Sequence, residues 1–251
     1  MELSGNTVLI TGGATGIGYA LAEAFVEAGS RVIICGRRLN RLEEAKRNHP
    51  EIDIIQADAA NPSDRARLLK VIVENFPSIN ILVNNAGIQK DIDFASGELN
   101  FEDIQEEIKI NLEAPVILSA MFIPHLKGKK NAAIINVSSG LGFVPAARMP
   151  VYSATKAGLH AFSIALRHQL SRVGIKVFEV VPPAVDTELN PEGRAKRANF
   201  KIDLKPAEFV AGVMEELKSD VFEIGYGPSK KYIQASRAEL DEYFRMMNSR
   251  W

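Results

Sequence analysis

Tyr152 and Lys156 place a phenol and an ammonium group four residues apart in a segment with helical spacing. Side chains at positions i and i+4 lie on the same helix face, so these two groups can be neighbours. Two unit charges about 5 Å apart, at an effective dielectric constant of about 20, interact by roughly 3 kcal/mol. That energy would lower the pKa of a tyrosine, ordinarily about 10, by about two units and make it a general acid or base. Alone, the spacing is more often structural than catalytic, so its meaning depends on the rest of the chain.

A glycine-rich turn near the start of the chain supports a catalytic interpretation. Residues 6–18 read NTVLITGGATGIG, which is typical of a buried strand, a turn and the start of a helix. Backbone N–H groups and the helix dipole at such a junction bind a pyrophosphate, and glycine lets the phosphates approach the backbone. The alternative is an ordinary tight turn between a strand and a helix. The predicted cofactor-binding residues in this turn are Gly12, Thr15, Gly16, Ile17 and Gly18.

The residues after the second predicted strand, RVIIC, indicate which dinucleotide is bound. In NAD-binding folds a carboxylate near the end of this strand accepts the ribose hydroxyls. Here Gly36, Arg37 and Arg38 follow, without a carboxylate, and arginine can form charge-assisted contacts with a 2′-phosphate. We therefore predict a preference for NADP(H), with NAD(H) as the alternative cofactor, and expect Arg37→Asp to weaken NADPH binding. The other interpretation is that both arginines begin a solvated helix.

Two further strand ends supply candidate cofactor contacts. Asp58 ends the segment IDIIQAD, where its carboxylate could accept the adenine amino group or equally cap the helix that begins near Pro62. The segment INILVNNAG leads into Asn85, Ala86 and Gly87, where small residues let the backbone pass beside a flat ligand. We include Asp58 and residues 85–87 among the candidate cofactor-binding residues.

These elements together resemble the short-chain dehydrogenase/reductase family. The matching segments, in the family's order, are TGGATGIG at 11–18, NNAG at 84–87, Asn111, Ser139 and Tyr152-x-x-x-Lys156. They span residues 8–187, which is most of the chain. The surroundings of Asn111 and Tyr152 look most like the DltE-type branch of bacterial oxidoreductases.

The resemblance implies a role for each matching side chain of the catalytic set. Tyr152 would be the general acid for carbonyl reduction, or the base for alcohol oxidation. Lys156 would lower the Tyr152 pKa and hold the nicotinamide ribose hydroxyls. Ser139, thirteen residues before Tyr152, would hydrogen-bond the substrate oxygen, and this spacing favours it over the adjacent Ser138.

Asn111 lies in an apolar stretch with helical spacing, IQEEIKINLEAPVILSAM, where a buried amide must find hydrogen-bond partners. The resemblance implies that it binds a water linking Lys156 to solvent as a proton relay. The alternative is that Asn111 marks a helix kink just before Pro115, because proline disturbs the preceding helical turn.

The segment after the sixth predicted strand departs from the family pattern Pro-Gly-x-Val-x-Thr. This chain has Pro182 and Pro183, followed by Val185 and Thr187 at the matching spacing. Pro183 removes an N–H group and fixes φ, which changes the backbone groups that this loop offers to the nicotinamide. Pro182, Val185 and Thr187 are the predicted cofactor contacts of the loop.

The composition is that of a globular protein and limits the classes of partner. With 251 residues, 46% of them hydrophobic and 24% charged, the chain suits a single dinucleotide-binding and catalytic domain over residues 1–251. A net charge of −1 argues against a nucleic-acid or membrane surface, and four scattered histidines with one cysteine form no metal-binding pattern. No apolar run reaches membrane-spanning length, no signal sequence is visible and Cys35 is a single thiol in a strand, so we expect a cytoplasmic protein.

Predicted strands alternate with predicted helices along the chain. This pattern indicates an α/β protein with a Rossmann-type, doubly wound, seven-stranded parallel sheet and helices on both faces. The predicted strands lie near residues 7–11, 31–35, 52–57, 80–84, 132–138, 175–181 and 221–225. The predicted helices lie near residues 16–28, 39–48, 62–76, 101–127, 152–173, 206–218 and 229–247. We expect the site at the carboxyl ends of the strands, where the strand order reverses.

The helix that begins at Tyr152 carries small residues at spacings that allow another helix to approach closely. Together with the predicted helix over 101–127 it resembles the dimer-forming pair of the family. We therefore expect a homodimer or a homotetramer.

The motifs together predict an NADP(H)-dependent oxidoreductase that acts on CH–OH donors and interconverts a small-molecule carbonyl compound and a secondary alcohol. One alternative is a nucleotide-binding regulatory or scaffold protein with little turnover; another is an epimerase or dehydratase. Substrate specificity is expected from residues 89–100, 140–151 and 188–205. The last segment carries a basic cluster that either attracts an anionic ligand or is a solvated helix face, namely Arg194, Lys196, Arg197 and Lys201.

Overall fold

The computed structural model describes residues 1–195 and 202–249 of the chain. Within these ranges, seven strands form one sheet: β1 (Thr7–Thr11), β2 (Arg31–Gly36), β3 (Asp53–Gln56), β4 (Ile81–Asn84), β5 (Ala133–Val137), β6 (Lys176–Val181) and β7 (Glu223–Gly225). Every residue of β1, β4 and β5 is buried. Their continuous apolar runs follow from a parallel sheet that is covered on both faces.

The helices of the described residues are α1 (Gly16–Glu27), α2 (Leu39–Asn48), α3 (Pro62–Asn75), α4 (Phe101–Ile108), α5 (Ala114–Leu126), α6 (Pro150–Leu170), α7 (Pro191–Ala195), α8 (Pro206–Lys218), α9 (Pro228–Gln234) and α10 (Arg237–Met247). None of them combines the length and the apolarity that crossing a bilayer would need.

The strand order is β3–β2–β1–β4–β5–β6–β7, and each neighbouring pair is parallel. The chain first moves outward from β1 to β3, then crosses back to β4 and continues to the other edge. The order therefore reverses between β1 and β4, which opens a crevice at the carboxyl ends of these strands. The predicted Rossmann-type fold is confirmed.

Two apolar cores lie on the opposite faces of the sheet. Alternate side chains of a strand point to opposite faces, so Val8 and Ile10 enter the core with α1 and α8, whereas Leu9 enters the core with α3, α5 and α6. The core on both faces fixes the strand ends, and with them the loops that carry the candidate site.

Two predicted helices are interrupted in the structure. The helix expected over 101–127 is divided into α4 and α5 by a π-helical turn, Lys109–Glu113, because Pro115 has no N–H group to donate to the Asn111 carbonyl. The helix expected over 229–247 is divided into α9 and α10. Ser236 begins the second of these with a capping box that it forms with Glu239.

Candidate active site

The loops at the carboxyl ends of β1, β4, β5 and β6 bring the predicted site residues together. Thr11 fixes the first two of these loops to each other. Its hydroxyl donates to the Val83 carbonyl at 3.3 Å and accepts from the N–H groups of Asn85 and Ala86, each at 3.0 Å. The side-chain amide of Asn85 donates to the carbonyls of Thr11 and Gly12 at 2.9 and 3.1 Å. This amide therefore holds the glycine-rich turn in place.

The glycine-rich turn has the backbone that a dinucleotide site needs. Gly12 and Gly16 have φ values of +64° and +59°, which favour glycine. A Cβ atom at Gly12 would lie 2.9 Å from the Cα of Ala86, and one at Gly18 would collide with the Asn85 amide and the Gly12 carbonyl. The glycines therefore let the turn pack closely on the loop after β4. They also leave the backbone at the N-terminus of α1 without side chains over it, and this cradle of N–H groups fits the phosphates of a dinucleotide.

Thr15 and Ile17 are the other predicted cofactor-binding residues of this turn. Thr15 precedes α1, and its hydroxyl makes no capping bond to the helix. Ile17 is half-buried and packs against the core, so its side chain anchors the turn.

Arg38 approaches the glycine-rich turn, whereas Arg37 points elsewhere. One Arg38 guanidinium nitrogen lies 3.3 Å from the Thr15 hydroxyl and another donates to Glu188 at 3.0 Å. Arg41 donates to the same Glu188 carboxylate at 2.6 Å. Arg37 instead donates to Glu106 of α4 at 3.0 Å. Arg38 and Arg41 therefore converge on a carboxylate beside the turn, which is an arrangement suited to an anion.

Asp58 does not cap α3. Its carboxylate accepts from the N–H of Ala60 at 2.9 Å, within its own loop. The cap of α3 is Asn61, whose side-chain oxygen accepts from the N–H groups of Ser63 and Asp64. Of the two roles proposed for Asp58, the cap is wrong. A signal for the true cap was present in the chain, because Asn61 stands directly before Pro62.

Lys156 is the buried charge at the centre of the site. It is 4% exposed, and its ammonium donates to the Val137 carbonyl, at the end of β5, at 2.8 Å. The ammonium lies 5.6 Å from the ring centre of Tyr152, which is itself 5% exposed. Burial lowers the pKa of Lys156 to about 8, opposed by the negative charges of Glu179 and Glu107. Tyr152 and Lys156 are therefore neighbours, as their i, i+4 spacing predicts.

Asn111 lies in the π-helical turn and holds the loop after β4. Its side chain accepts from the Ile88 N–H at 2.9 Å and donates to the Ile88 carbonyl at 2.8 Å and to Thr155 at 3.3 Å. A Cβ atom at Gly87 would lie 3.3 Å from the Asn111 side-chain oxygen and 3.7 Å from the Lys156 ammonium. The helix irregularity expected before Pro115 is present, and the Asn111 amide ties the loop after β4 to α6 through Ile88 and Thr155.

Ser139 follows β5 in extended conformation, and its hydroxyl accepts from the Leu141 N–H at 3.1 Å. The short 3₁₀ helix after it, Gly140–Gly142, packs on α6, since a Cβ atom at Gly142 would lie 2.9 Å from the Lys156 carbonyl carbon. The Ser138 hydroxyl is turned to the Val180 carbonyl at 3.4 Å.

The loop after β6 lies against the same crevice. The Pro182 carbonyl accepts from the Gly140 N–H at 3.0 Å, and Val185 is buried. A Cβ atom at Gly16 would lie 3.0 Å from the Thr187 methyl group, so Thr187 closes over the glycine-rich turn. Pro183, at the position of the family's glycine, is half-buried.

Several residues near the site carry no sequence signal that could have identified them. Met247 of α10 packs with Leu141 against a cluster of Ala146, Met149 and Tyr152. Asn248 accepts from the Ala147 N–H at 2.7 Å, which fixes the end of α10 over the loop before α6. The C-terminal helix therefore forms an apolar wall beside Tyr152.

His160 is less exposed than a surface histidine. It lies 2.8 Å from Glu179, a fully buried carboxylate of β6, and Glu223 is close to both. The hydrogen bond with Glu179 raises the pKa of His160. Arg167 in turn donates to Glu223 at 3.3 Å, and one buried oxygen of Glu179 has no hydrogen-bond partner among the described residues.

Part of the predicted basic cluster falls outside the described residues, namely Lys196, Arg197, Lys201 and the side chain of Arg194. The described residues before that gap include Glu188, which lies between Arg38 and Arg41. The start of this segment therefore lies beside the glycine-rich turn.

Comparison with known proteins gives matches along most of the chain. A sequence model of the family described as short chain dehydrogenase matches residues 6–198. The chain is 45% identical, over 249 residues and 99% of each chain, to a Bacillus subtilis protein named uncharacterized oxidoreductase DltE.

Two solved structures are similar in both fold and sequence. A short chain dehydrogenase from Burkholderia cenocepacia in complex with NADP has a TM-score of 0.83 and 25% identity, covering 97% of this chain and 99% of that one. A short-chain dehydrogenase from Sphingobium yanoikuyae in complex with NADPH has a TM-score of 0.81 and 29% identity, covering 94% and 95%.

Proposed function

The chain belongs to the short-chain dehydrogenase/reductase family, a family of oxidoreductases, and we propose that it uses NADP(H) to interconvert a carbonyl compound and a secondary alcohol. The observation that carries this proposal is the buried Lys156 ammonium above the Tyr152 ring, at the strand end that also presents Ser139. A regulatory or scaffold protein would need the nucleotide cradle but not this buried pair.

The residues of the crevice fit a nicotinamide dinucleotide. Gly12, Gly16 and Gly18 leave the phosphate cradle, and Gly87 leaves room beside Lys156. Arg38 would hold the 2′-phosphate, because it reaches Thr15 of the cradle, while Asp58 would face the adenine. NADP(H), when bound, supplies or accepts the hydride of the reaction. Relatives with bound NADP and NADPH support this choice of cofactor.

Proton transfer is the task of the protein itself. In carbonyl reduction, the Tyr152 hydroxyl would donate its proton to the substrate oxygen as the negative charge develops there. The Lys156 ammonium would stabilise the resulting phenolate, and Ser139 would donate a hydrogen bond to the same substrate oxygen. Asn111 would keep the loop after β4 in place beside Lys156, whose ammonium would hold the nicotinamide ribose hydroxyls.

The substrate side of Tyr152 favours an apolar small molecule. Leu141, Ala146, Met149 and Met247 surround the ring, so the group attached to the reacting carbon would meet apolar side chains. We infer an uncharged or weakly polar carbonyl compound, with an alkyl or aryl substituent, as the substrate class.

The buried thiol of Cys35 and the absence of other cysteines in the sequence fit a cytoplasmic setting.

A homodimer or homotetramer through α4, α5 and α6 is part of the proposal. These helices expose large apolar side chains at Phe101, Ile108, Ile117 and Ile164, with exposed fractions of 37% to 70%. Such side chains on adjacent helices are typical of a surface that another copy of the chain covers.

The proposal is tested by titrating the purified protein with NADPH and NADH in parallel, followed by turnover with a panel of aldehydes and ketones. We expect tighter binding of NADPH and NADPH oxidation that depends on a carbonyl substrate. Binding without turnover on any carbonyl would favour the scaffold alternative. Binding of neither nucleotide would contradict the proposal altogether.

A further inference from the structure

A buried carboxyl group lies next to the catalytic set without belonging to it. Glu107 is on α4, one helical turn before Asn111, and is fully buried. One of its carboxylate oxygens accepts from the Lys90 N–H at 2.9 Å. The other is buried and has no hydrogen-bond partner among the described residues. A buried carboxylate oxygen without a partner carries a large desolvation cost, which protonation of the group reduces.

Glu107 and Asn111 hold the same segment from the same helix face. Asn111 binds the N–H and carbonyl of Ile88, and Glu107 binds the N–H of Lys90 two residues later. This segment starts at Gly87, where a Cβ atom would lie 3.7 Å from the Lys156 ammonium. The two side chains therefore fix the backbone that passes beside Lys156.

The charges around Glu107 and Lys156 come from few groups. Glu107 is influenced by Lys90, by Lys156 of α6 and by Asp103 of its own helix. The Lys90 ammonium is already engaged by Asp103 and Glu106.

Lys156 has buried carboxylates on two of the elements around it. These are Glu107 of α4 and Glu179 of β6, and the ring of Tyr152, on the same helix as Lys156, is centred 5.6 Å from the ammonium. Glu179 is hydrogen-bonded to His160, which leaves Glu107 as the carboxylate without a cationic hydrogen-bond partner among the described residues.

Both groups change charge within the physiological pH range. Burial raises the pKa of Glu107 to about 7 and lowers the pKa of Lys156 to about 8. The negative charge of Glu107 raises the pKa of Lys156, and the positive charge of Lys156 lowers the pKa of Glu107.

We propose that Glu107 is a positioning residue for proton transfer at Tyr152: its carboxylate anchors the segment beside Lys156 and supplies the negative charge that keeps Lys156 protonated. The role rests on the proposed function, since a protonated Lys156 is needed to stabilise the Tyr152 phenolate. Glu107 acts through Lys156 and does not contact the substrate.

The test is an NMR titration of the full chain, with carbon-13 in the glutamate carboxyl groups and, separately, in the lysine ε-carbons. Glu107→Gln keeps the oxygen that accepts from Lys90 and removes the charge, whereas Glu102→Gln removes an exposed charge from the same helix. We expect Glu107→Gln to lower the titration midpoint of Lys156 by roughly half to one pH unit, and Glu102→Gln to leave it unchanged. In the reciprocal variant, Lys156→Met, the midpoint of Glu107 should rise.

An unchanged Lys156 midpoint in Glu107→Gln would overturn the proposal and leave Glu107 as a structural anchor. A Glu107 signal that titrates with the exposed glutamates in the wild-type protein, and does not move in Lys156→Met, would overturn it as well. Nicotinamide binding and turnover are measured separately, so a protein that shows the coupling but binds no NADPH would contradict the proposed function alone.

Discussion

Replacing Arg38 by glutamine is expected to weaken the binding of NADPH without changing the binding of NADH. Arg38 is the arginine after β2 that reaches the glycine-rich turn, at 3.3 Å from the Thr15 hydroxyl. Only the 2′-phosphate distinguishes the two cofactors, so a residue that binds this phosphate affects one of them. Arg37 makes a matched comparison, because its guanidinium is engaged by Glu106 instead.

The size of the effect follows from the exposure of the contact. Hydrogen bonds to charged groups contribute about 1.5 to 3 kcal/mol. The Arg38 side chain is 55% exposed, and solvent screening at such a site reduces the contribution to about 1 to 2 kcal/mol. The NADPH Kd of Arg38→Gln should therefore rise about 5- to 30-fold.

Replacing Glu188 by glutamine is expected to have the opposite effect on NADPH binding. Its carboxylate bonds both Arg38 and Arg41, so a 2′-phosphate must displace it from them. Glu188→Gln removes this competition, and exposed ion pairs contribute at most about 1 kcal/mol each. For the two pairs together this is at most about 2 kcal/mol, so NADPH binding should tighten by up to about 30-fold, while NADH binding stays the same.

The assay is a fluorescence titration of each variant with both nucleotides at one ionic strength. Equal losses for NADPH and NADH in Arg38→Gln would show that the side chain supports the fold of the turn. An unchanged NADPH Kd would refute the assignment of the phosphate to Arg38. A loss confined to Arg37→Gln would return the role to Arg37.

Three further predictions concern stability and assembly. Gly12→Ala should lower the free energy of unfolding by about 1 to 3 kcal/mol more than Gly5→Ala does. Both glycines have positive φ, but only Gly12 faces the Ala86 backbone. Equal effects of the two substitutions in urea unfolding would contradict this. Glu107→Gln should gain stability relative to the wild type as pH rises. The pKa of Glu107 in the folded protein, about 7, is raised above its ordinary 4.5. The contribution of Glu107 to the free energy of unfolding is therefore fully present below the unfolded pKa, and at most about 3 kcal/mol is lost as pH rises through the folded pKa. A difference between these two proteins that is constant from about pH 5 to about pH 8 would refute the raised pKa. Ile164→Glu should convert the protein to a smaller species in light scattering, since Ile164 is 45% exposed on α6; an unchanged mass would place the interface elsewhere.

The regular elements could be predicted from the sequence because local patterns determine them. Apolar runs and glycine turns placed β1 and α2 at their observed bounds, and the order of strands and helices indicated the parallel sheet. The interruption of the long helix before Pro115 was also predictable, because a missing N–H group is a local property.

The contacts between distant segments could not be predicted in the same way. Glu188 meets Arg38 across 150 residues of chain, and nothing local to either residue indicates the other. From the sequence alone, Glu107 would be expected to be exposed, because it lies among other acidic residues. Only the packing of α4 on the loop after β4 shows that it is buried. The choice between the arginines after β2 and the path of α10 toward Tyr152 likewise depend on tertiary packing.

The most direct test of the oxidoreductase mechanism is the NADPH-dependent carbonyl turnover of Tyr152→Phe, measured beside its NADPH Kd. The substitution keeps the ring below Lys156 and removes the hydroxyl group. We expect turnover to fall by about 100- to 10,000-fold while the Kd for NADPH stays within about threefold of the wild type. Turnover near the wild-type rate would contradict the role of Tyr152 as the proton donor.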